Sequence, residues 1–204
     1  MNKNQLIQSY KEKRKAINAK LNEFKELKEA DYFNELLFCI LTPQSNAKKC
    51  WEAVEQLVKI EKIEQKNKKK IENILKSKTR FHNNKSKYIL EAKNSWDHIL
   101  EKLNNNNIIE LRNYLAENIN GIGYKEASHF LRNIGKSNNE IAILDRHILK
   151  NLKDLRLIEN TRIKGKKDYL EIEKKFINFS KSINISIDHL DLLFWSQENG
   201  EIFK

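Results

Sequence analysis

The chain has 204 residues, 39% hydrophobic and 33% charged, with a formal net charge of +11 and a pI near 9.5. That length can form one good core or two small lobes sharing a cleft, and the composition is typical of a globular protein rather than a disordered one. No apolar run approaches the roughly 20 residues needed to span a bilayer, and the N-terminal segment lacks the apolar stretch of a signal peptide. We therefore expect no membrane association, and a cytoplasmic location with the nucleoid.

The basic excess is typical of proteins that bind a polyanion, because each lysine or arginine placed on a phosphate releases condensed counterions. The sequence is also rich in Asn, Ile and Lys together, and codon bias or a hot habitat would produce the same composition. Charge alone leaves nucleic-acid binding open.

Apolar residues recur at helical spacing in three stripes, 6–27, 47–58 and 88–103, and no alternating strand pattern is evident. A single proline and five glycines provide few turns for hairpin strands. Pro43 should end an apolar helix over Leu36–Leu41, and Ser45 or Asn46 can cap the next one. The pattern predicts an all-α fold.

The two cysteines, Cys39 and Cys50, lie among apolar helical residues, which predicts buried thiols. Two cysteines cannot ligate a four-cysteine iron–sulfur cluster or zinc site. We expect the protein to use no metal and no other cofactor.

Three of the five glycines lie between residues 121 and 135, and the segment around them predicts a helix, a tight Gly121-Ile122-Gly123 turn and a second helix. Both Gly121 and Gly123 can take positive φ and allow close approach of another chain, while Ile122 should point into the core. The turn leads into a helix N-terminus, whose N–H groups suit a phosphate. This pattern favours a helix-hairpin-helix that grips a DNA backbone, although a plain helix connector has the same form.

Lys125 lies two residues after the second glycine, in the first turn of the second helix. The helix N-terminus and partial burial both disfavour the cationic form of a lysine and lower its pKa. A neutral amine there could attack a sugar C1′ and form a Schiff base. In a chain with 39 lysines and arginines, a phosphate-binding or solvent-facing lysine is the competing interpretation.

Asp145 lies twenty residues further on, between an apolar run and a short helix. Its position predicts a helix N-cap. A carboxylate beside a cleft can also stabilise the oxocarbenium character that develops as a glycosidic bond breaks. The two roles are compatible.

These residues resemble the helix-hairpin-helix DNA glycosylases, which share a hairpin, a lysine two residues past its second glycine and an aspartate some twenty residues later. Within that superfamily the chain is similar to the archaeal-type 8-oxoguanine DNA glycosylase/lyases, the second class of such enzymes. Four separated blocks carry the similarity in order: 79–85, 123–135, 143–149 and 193–204.

The resemblance implies that Lys125 is the Schiff-base nucleophile and Asp145 the catalytic carboxylate. It implies further DNA contacts beyond the hairpin. Gln44 would insert into the gap left by a flipped base, while Arg80 and Phe81 would contact the orphaned partner base.

Three further residues are candidates for the pocket of the extruded base. His129 lies four residues after Lys125, so both face the same side of one helix, although a core histidine fits equally well. The resemblance implies that Trp195 stacks on the purine, and the apolar residues before it allow a core position instead. It also implies that the terminal carboxylate of Lys204 helps to recognise oxidised guanine.

We therefore predict an all-α fold of two helical lobes with a DNA-binding cleft and a helix-hairpin-helix motif. Residues 1–204 would form one glycosylase unit, with a central lobe at about 33–119 and a second lobe from 1–32 plus 120–204. The protein would act as a monomer.

The predicted function is base-excision repair: removal of 8-oxoguanine from double-stranded DNA through a lysine Schiff base, then strand cleavage by β-elimination. Three alternatives stay open. The same chemistry could act on another oxidised base. The chain could be a non-catalytic helix-hairpin-helix DNA-binding protein, or an all-helical interaction protein whose charge reflects codon bias.

Overall fold

Helices form the regular structure of the chain in the computed structural model, which describes residues 2–204. In this part of the chain there are two short 3₁₀ helices and no strand, so the predicted all-α class is confirmed. The α-helices are α1 (Lys3–Lys25), α2 (Tyr32–Leu41), α3 (Ala47–Leu57), α4 (Lys68–Lys76), α5 (His82–Asn94), α6 (Trp96–Leu103), α7 (Ile108–Asn118), α8 (Tyr124–Asn133), α9 (Arg146–Asp154), α10 (Lys166–Ser182) and α11 (Ile187–Asn199).

The chain divides into two compact units, one made of residues 28–130 and the other of 1–27 together with 131–204. The hairpin after α7 therefore belongs to the 28–130 unit. The limits expected from the sequence, 33–119 for the central lobe, stay a prediction about which segments fold as a domain.

Helix α2 forms the core of the 28–130 unit. Every residue from Leu36 to Leu41 is 0% exposed, as suits a helix that is apolar on all sides. It packs against α3 and α5. Cys39 lies in this helix and Cys50 in α3, and both are buried thiols, as predicted.

Helix α11 occupies the centre of the other unit, where it packs against α1, α9 and α10. The rings of Phe176 and Phe194 stack there with their centroids 6.0 Å apart. A buried ion pair joins Arg132 to Asp191 at 3.4 Å, and the Arg132 guanidinium also lies 5.0 Å from the centre of the Phe24 ring. Arg132 thus joins the end of α8 to α11 through Asp191 and to α1 through Phe24.

None of the helices described in residues 2–204 has the length and apolar composition of a segment that crosses a membrane.

Candidate functional site

The Gly-Ile-Gly segment between α7 and α8 forms a tight turn. The Ile122 amide donates to the Ile119 carbonyl at 3.1 Å, and the Ile122 side chain is buried, as predicted. Gly121 has a φ of +85°, and a Cβ at this position would lie 2.7 Å from Cδ2 of Tyr88. The turn therefore needs glycine at 121 both for its conformation and for space.

Gly123 has a different role from the one expected. The sequence suggested a positive φ at both hairpin glycines, but of the two only Gly121 has one. The Gly123 amide instead donates to Oε2 of Glu126 at 3.2 Å, and a Cβ on Gly123 would lie 3.2 Å from the same oxygen. The missing side chain gives this carboxylate clearance to cap the start of α8.

Lys125 is the second residue of α8, and its side chain is 24% exposed. Its Nζ lies 3.0 Å from Oε1 of Glu126, whose other oxygen accepts the Gly123 N–H. One carboxylate thus connects the lysine to the hairpin backbone. Glu126 was not among the residues predicted from the sequence, although an acidic residue three positions after the N-cap is a known capping signal.

Asp145 is the N-cap of α9, as predicted. Its Oδ1 accepts the backbone N–H groups of His147 and Ile148, each at 2.8 Å. Both bonds end on one oxygen, so neither occupies Oδ2. The carboxylate is partly exposed at the N-terminus of a helix, where the backbone dipole stabilises its negative charge.

Gln44 lies in the loop between α2 and α3, where α2 ends just before Pro43 and Asn46 caps α3 by accepting the Lys49 N–H at 3.1 Å. Gln44 itself is exposed and has a φ of +55°, a conformation that is uncommon for residues other than glycine. Its side chain is therefore held at the surface by a strained loop.

Arg80 and Phe81 lie at the start of α5 and are both exposed. Phe81 is 53% exposed, which is unusual for a large apolar residue, and the Arg80 guanidinium carbon lies 5.3 Å from the centre of its ring. Phe81 also has a positive φ, of +56°. An exposed aromatic ring beside a cation suits contact with a nucleobase.

The loop with Gln44 and the segment with Arg80 meet through a buried lysine, Lys85. Its Nζ donates to the carbonyl oxygens of Leu41 and Pro43 and to the hydroxyl oxygens of Ser45 and Thr79. No role for Lys85 was predicted from the sequence. A signal was present, because Lys85 shares a helical face with Ile89 and Ala92, both of which are buried.

The surroundings of Lys85 disfavour its protonated, charged form. Burial lowers its pKa to about 8, with Lys125 and Arg80 acting in the same direction and the Cys50 thiol and Glu126 opposing them. Burial also raises the pKa of Cys50 to about 11, and its thiol donates to the Leu41 carbonyl at 3.2 Å. Cys50 is consequently a structural thiol and not a nucleophile.

The three candidates for the base pocket have different surroundings. His129, on α8 of the 28–130 unit, is 8% exposed and lies edge-on to the Phe38 ring, with centroids 5.5 Å apart. Trp195 is half-buried and stacks on Phe203 at 6.0 Å, and Lys204 is also half-buried. Trp195, Lys204 and Asp145 belong to the other unit.

The sequence matches known proteins over most of its length. The family model described as 8-oxoguanine DNA glycosylase matches residues 17–185. The 8-oxoguanine DNA glycosylase/AP lyase of Fusobacterium nucleatum is 41% identical, in a match that covers 98% of this chain and 97% of the relative.

Solved structures agree with the sequence comparison. The 8-oxoguanine DNA glycosylase of Thermotoga maritima has a TM-score of 0.87 at 28% identity, covering 98% of this chain and 97% of its own. The Methanocaldococcus jannaschii 8-oxoguanine glycosylase/lyase, solved with a 15mer DNA containing 8-oxoguanine, has a TM-score of 0.82 at 31% identity, covering 98% and 100%. With the family match spanning most of the chain, this protein belongs to the 8-oxoguanine DNA glycosylase family.

Proposed function

We propose that the chain removes 8-oxoguanine from duplex DNA and then cuts the strand, with Lys125 as the nucleophile. The observation that carries this proposal is the position of Lys125 in the first turn of α8, directly after the hairpin and partly exposed. The relatives named 8-oxoguanine DNA glycosylase/AP lyase support both activities.

Lys125 performs the covalent step. The lone pair of its neutral amine forms a bond to C1′ as the bond from C1′ to the base breaks, and the base leaves with that electron pair and takes up a proton. The amine loses its two protons, one to the departing base and one to the ring oxygen O4′ as the bond from C1′ to O4′ breaks, and the opened sugar is left as an imine on Lys125. Removal of a C2′ proton then expels the 3′ phosphate by β-elimination. Glu126, 3.0 Å from Nζ, keeps the lysine at the hairpin before the reaction.

Asp145 supplies negative charge for the glycosidic step. A carboxylate stabilises the oxocarbenium character of the sugar as the base departs. Its fixed hydrogen bonds to two backbone N–H groups hold it in place without consuming Oδ2. The capping role and the catalytic role are therefore served by different oxygen atoms.

The DNA is held by residues that do not take part in bond breaking. The hairpin around Gly121 and Gly123 would lie against the phosphate backbone. Gln44 would fill the space left by the extruded nucleotide, and Arg80 with Phe81 would contact the orphaned base. The exposure of these three side chains supports this part of the proposal. Extrusion costs a few kcal/mol of unstacking, which such contacts offset.

His129, Trp195 and Lys204 stay predictions for the base pocket. The burial of His129 against Phe38 favours a role in supporting the pocket wall over direct contact with the base. The substrate places the enzyme at the chromosome, so a cytoplasmic location with the nucleoid is part of the same proposal.

Borohydride trapping tests the proposal. Wild-type protein should form a covalent complex with duplexes that carry 8-oxoguanine or an abasic site, and Lys125→Ala should form none. Lys20→Ala is the matched control, because Lys20 is 23% exposed and also pairs with a nearby glutamate, Glu23. No complex with either duplex, or equal complex with Lys125→Ala, would refute the lysine mechanism. Stronger trapping on a duplex that carries thymine glycol would show that the preferred substrate is another oxidised base.

A further inference from the structure

We infer that Lys85 is a positioning residue whose ammonium group fixes the Gln44 loop and the Arg80–Phe81 segment in the geometry that engages DNA. The inference rests on the proposed function, since it takes the DNA-contacting roles of these three side chains from there. Lys85 itself is 4% exposed and cannot contact DNA directly. It acts through the backbone and hydroxyl groups that it binds.

The contacts of Lys85 join two separate stretches of chain, residues 41–45 at the end of α2 and residues 79–81 before α5. Nζ lies 2.7 Å from the Leu41 carbonyl oxygen and 2.8 Å from that of Pro43, on either side of the end of α2. It also lies 3.2 Å from Oγ of Ser45 and 2.7 Å from Oγ1 of Thr79. An ammonium group has three N–H donors, so at least one of them is shared between two of these four oxygens.

The two stretches are also bonded directly to each other around this ammonium group. Oγ of Ser45 lies 2.8 Å from Oγ1 of Thr79 and accepts the backbone N–H of Arg80 at 3.0 Å. Oγ1 of Thr79 also lies 2.8 Å from the Leu41 carbonyl oxygen. Lys85 is therefore at the centre of a polar network that includes the residues on either side of Gln44 and before Phe81.

Both candidate DNA-contacting loops hold a strained residue beside this network. Gln44 and Phe81 have φ values of +55° and +56°, which residues with a Cβ seldom adopt. Such conformations persist only where the surrounding structure fixes them, and they concentrate at ligand-binding sites. The contacts made by Lys85 supply that restraint on both loops.

The cost of burying Lys85 indicates that its ammonium has a specific task. Its four partners are neutral oxygens, and burial lowers its pKa to about 8. A buried cation whose hydrogen-bond partners are all neutral is a poor way to gain stability. It does, however, offer several strong donors radiating from one point, which is what joining two loops requires.

The test compares Lys85→Met with wild type on two duplexes under single-turnover conditions. Methionine keeps an unbranched apolar side chain that is one atom shorter, and it removes the donors. Excision of 8-oxoguanine should fall by about 10²-fold, the loss expected from an ångström-scale misplacement. Cleavage at a preformed abasic site should fall less than about tenfold, since there is no base to extrude. Lys87→Met is the control, because Lys87 is exposed on the same helix.

A fluorescence measurement reports on the loops themselves. With 2-aminopurine beside the lesion, Lys85→Met bound to DNA should show a smaller rise in fluorescence than wild type, since less of the duplex is unstacked. If Lys85→Met does not fold, Thr79→Val removes one acceptor without changing shape and should lower the same ratio of excision to abasic-site cleavage.

One result would overturn the inference: an unchanged ratio of excision to abasic-site cleavage in a folded variant, whether both activities are retained or both fall by the same factor. Failure of the proposed function itself is recognised separately, because wild type would then give no borohydride-trapped complex at all.

Discussion

Asp145 caps a helix and is also the proposed catalytic carboxylate, and a substitution can separate these two roles. One oxygen of the carboxylate caps α9 through the N–H groups of His147 and Ile148. Asparagine caps helices about as well as aspartate, because its side-chain oxygen accepts the same bonds, but it has no charge. The cap and the catalytic charge can therefore be removed one at a time.

We expect Asp145→Asn to lower 8-oxoguanine excision by about 10²- to 10³-fold, the usual loss when one preorganised electrostatic contact is removed. Its free energy of unfolding should stay close to that of wild type. Asp145→Ala should lose the cap as well, at a further cost of about 1 kcal/mol. Single-turnover excision and urea unfolding measure the two effects. Full activity in Asp145→Asn would show that the residue is only a cap.

Single residues also show which parts of the site the sequence predicts. The Asp145 cap and the burial of Ile122 follow from local pattern, since each depends on neighbours in the chain. The four bonds of Lys85 do not, because its partners lie 6 to 44 residues away and are brought to it by packing. The φ of Gly123 does not follow from residue type either, because glycine takes both signs of φ and here φ is not positive.

Helix α8 ends in a turn that has no room for a side chain. Gly135 has a φ of +71°, and a Cβ on it would lie 2.7 Å from the Cα of Lys25 and 2.9 Å from the carbonyl oxygen of Phe24. Both atoms belong to the backbone of α1 in its last turn, so they cannot swing away as a side chain can. The turn after α8 is thus locked against α1.

We expect Gly135→Ala to reduce the free energy of unfolding by about 2 to 4 kcal/mol, combining backbone strain with a forced contact. Gly200→Ala is the matched control, because Gly200 has a φ of +80° but nothing within 4 Å of the position that a Cβ would take. It should cost only the strain, about 1 kcal/mol. Equal losses in urea unfolding would show that the close approach to α1 is unimportant.

For the molecule as a whole, charge and acid stability have different origins. The net charge of +11 suits an enzyme of this family, whose substrate is a polyanion that attracts it at long range. Acid stability depends instead on a few groups that are partly or fully buried. His189 bonds to Oδ1 of Asn18 at 2.8 Å and also contacts Ser186 and Tyr10. Burial lowers its pKa, and the nearby Arg14 and Lys25 lower it further.

We expect the protein to lose stability through His189 as the pH falls below about 6.5. There the unfolded chain takes up a proton on this histidine more readily than the folded one, so acid favours unfolding. His189→Gln should therefore lose less stability than wild type between pH 7 and pH 5.5. The buried Asp188, whose pKa is raised, works in the opposite direction but is present in both proteins. An identical pH dependence in the two proteins would contradict the assignment.

The whole chain was more predictable than its site. Helical periodicity, one proline and the Gly-Ile-Gly segment were enough for the all-α class and the hairpin, and four blocks in order were enough for the family. The network around Lys85 was not, because polar contacts between separate stretches of chain leave no periodic signal. The pairing of Lys125 with Glu126 was not either, because adjacent side chains of a helix do not normally face each other. The strained φ of Gln44 and Phe81 also escaped prediction, since neither residue is glycine.

The proposed chemistry requires that one lysine among many becomes bound to the sugar. To identify it, wild-type protein is trapped with borohydride on a duplex containing 8-oxoguanine, the complex is digested and the modified lysine is located by mass spectrometry. We expect a single modified position, Lys125. A modification at Lys85 or any other lysine, with Lys125 recovered intact, would contradict the lysine mechanism proposed for this enzyme.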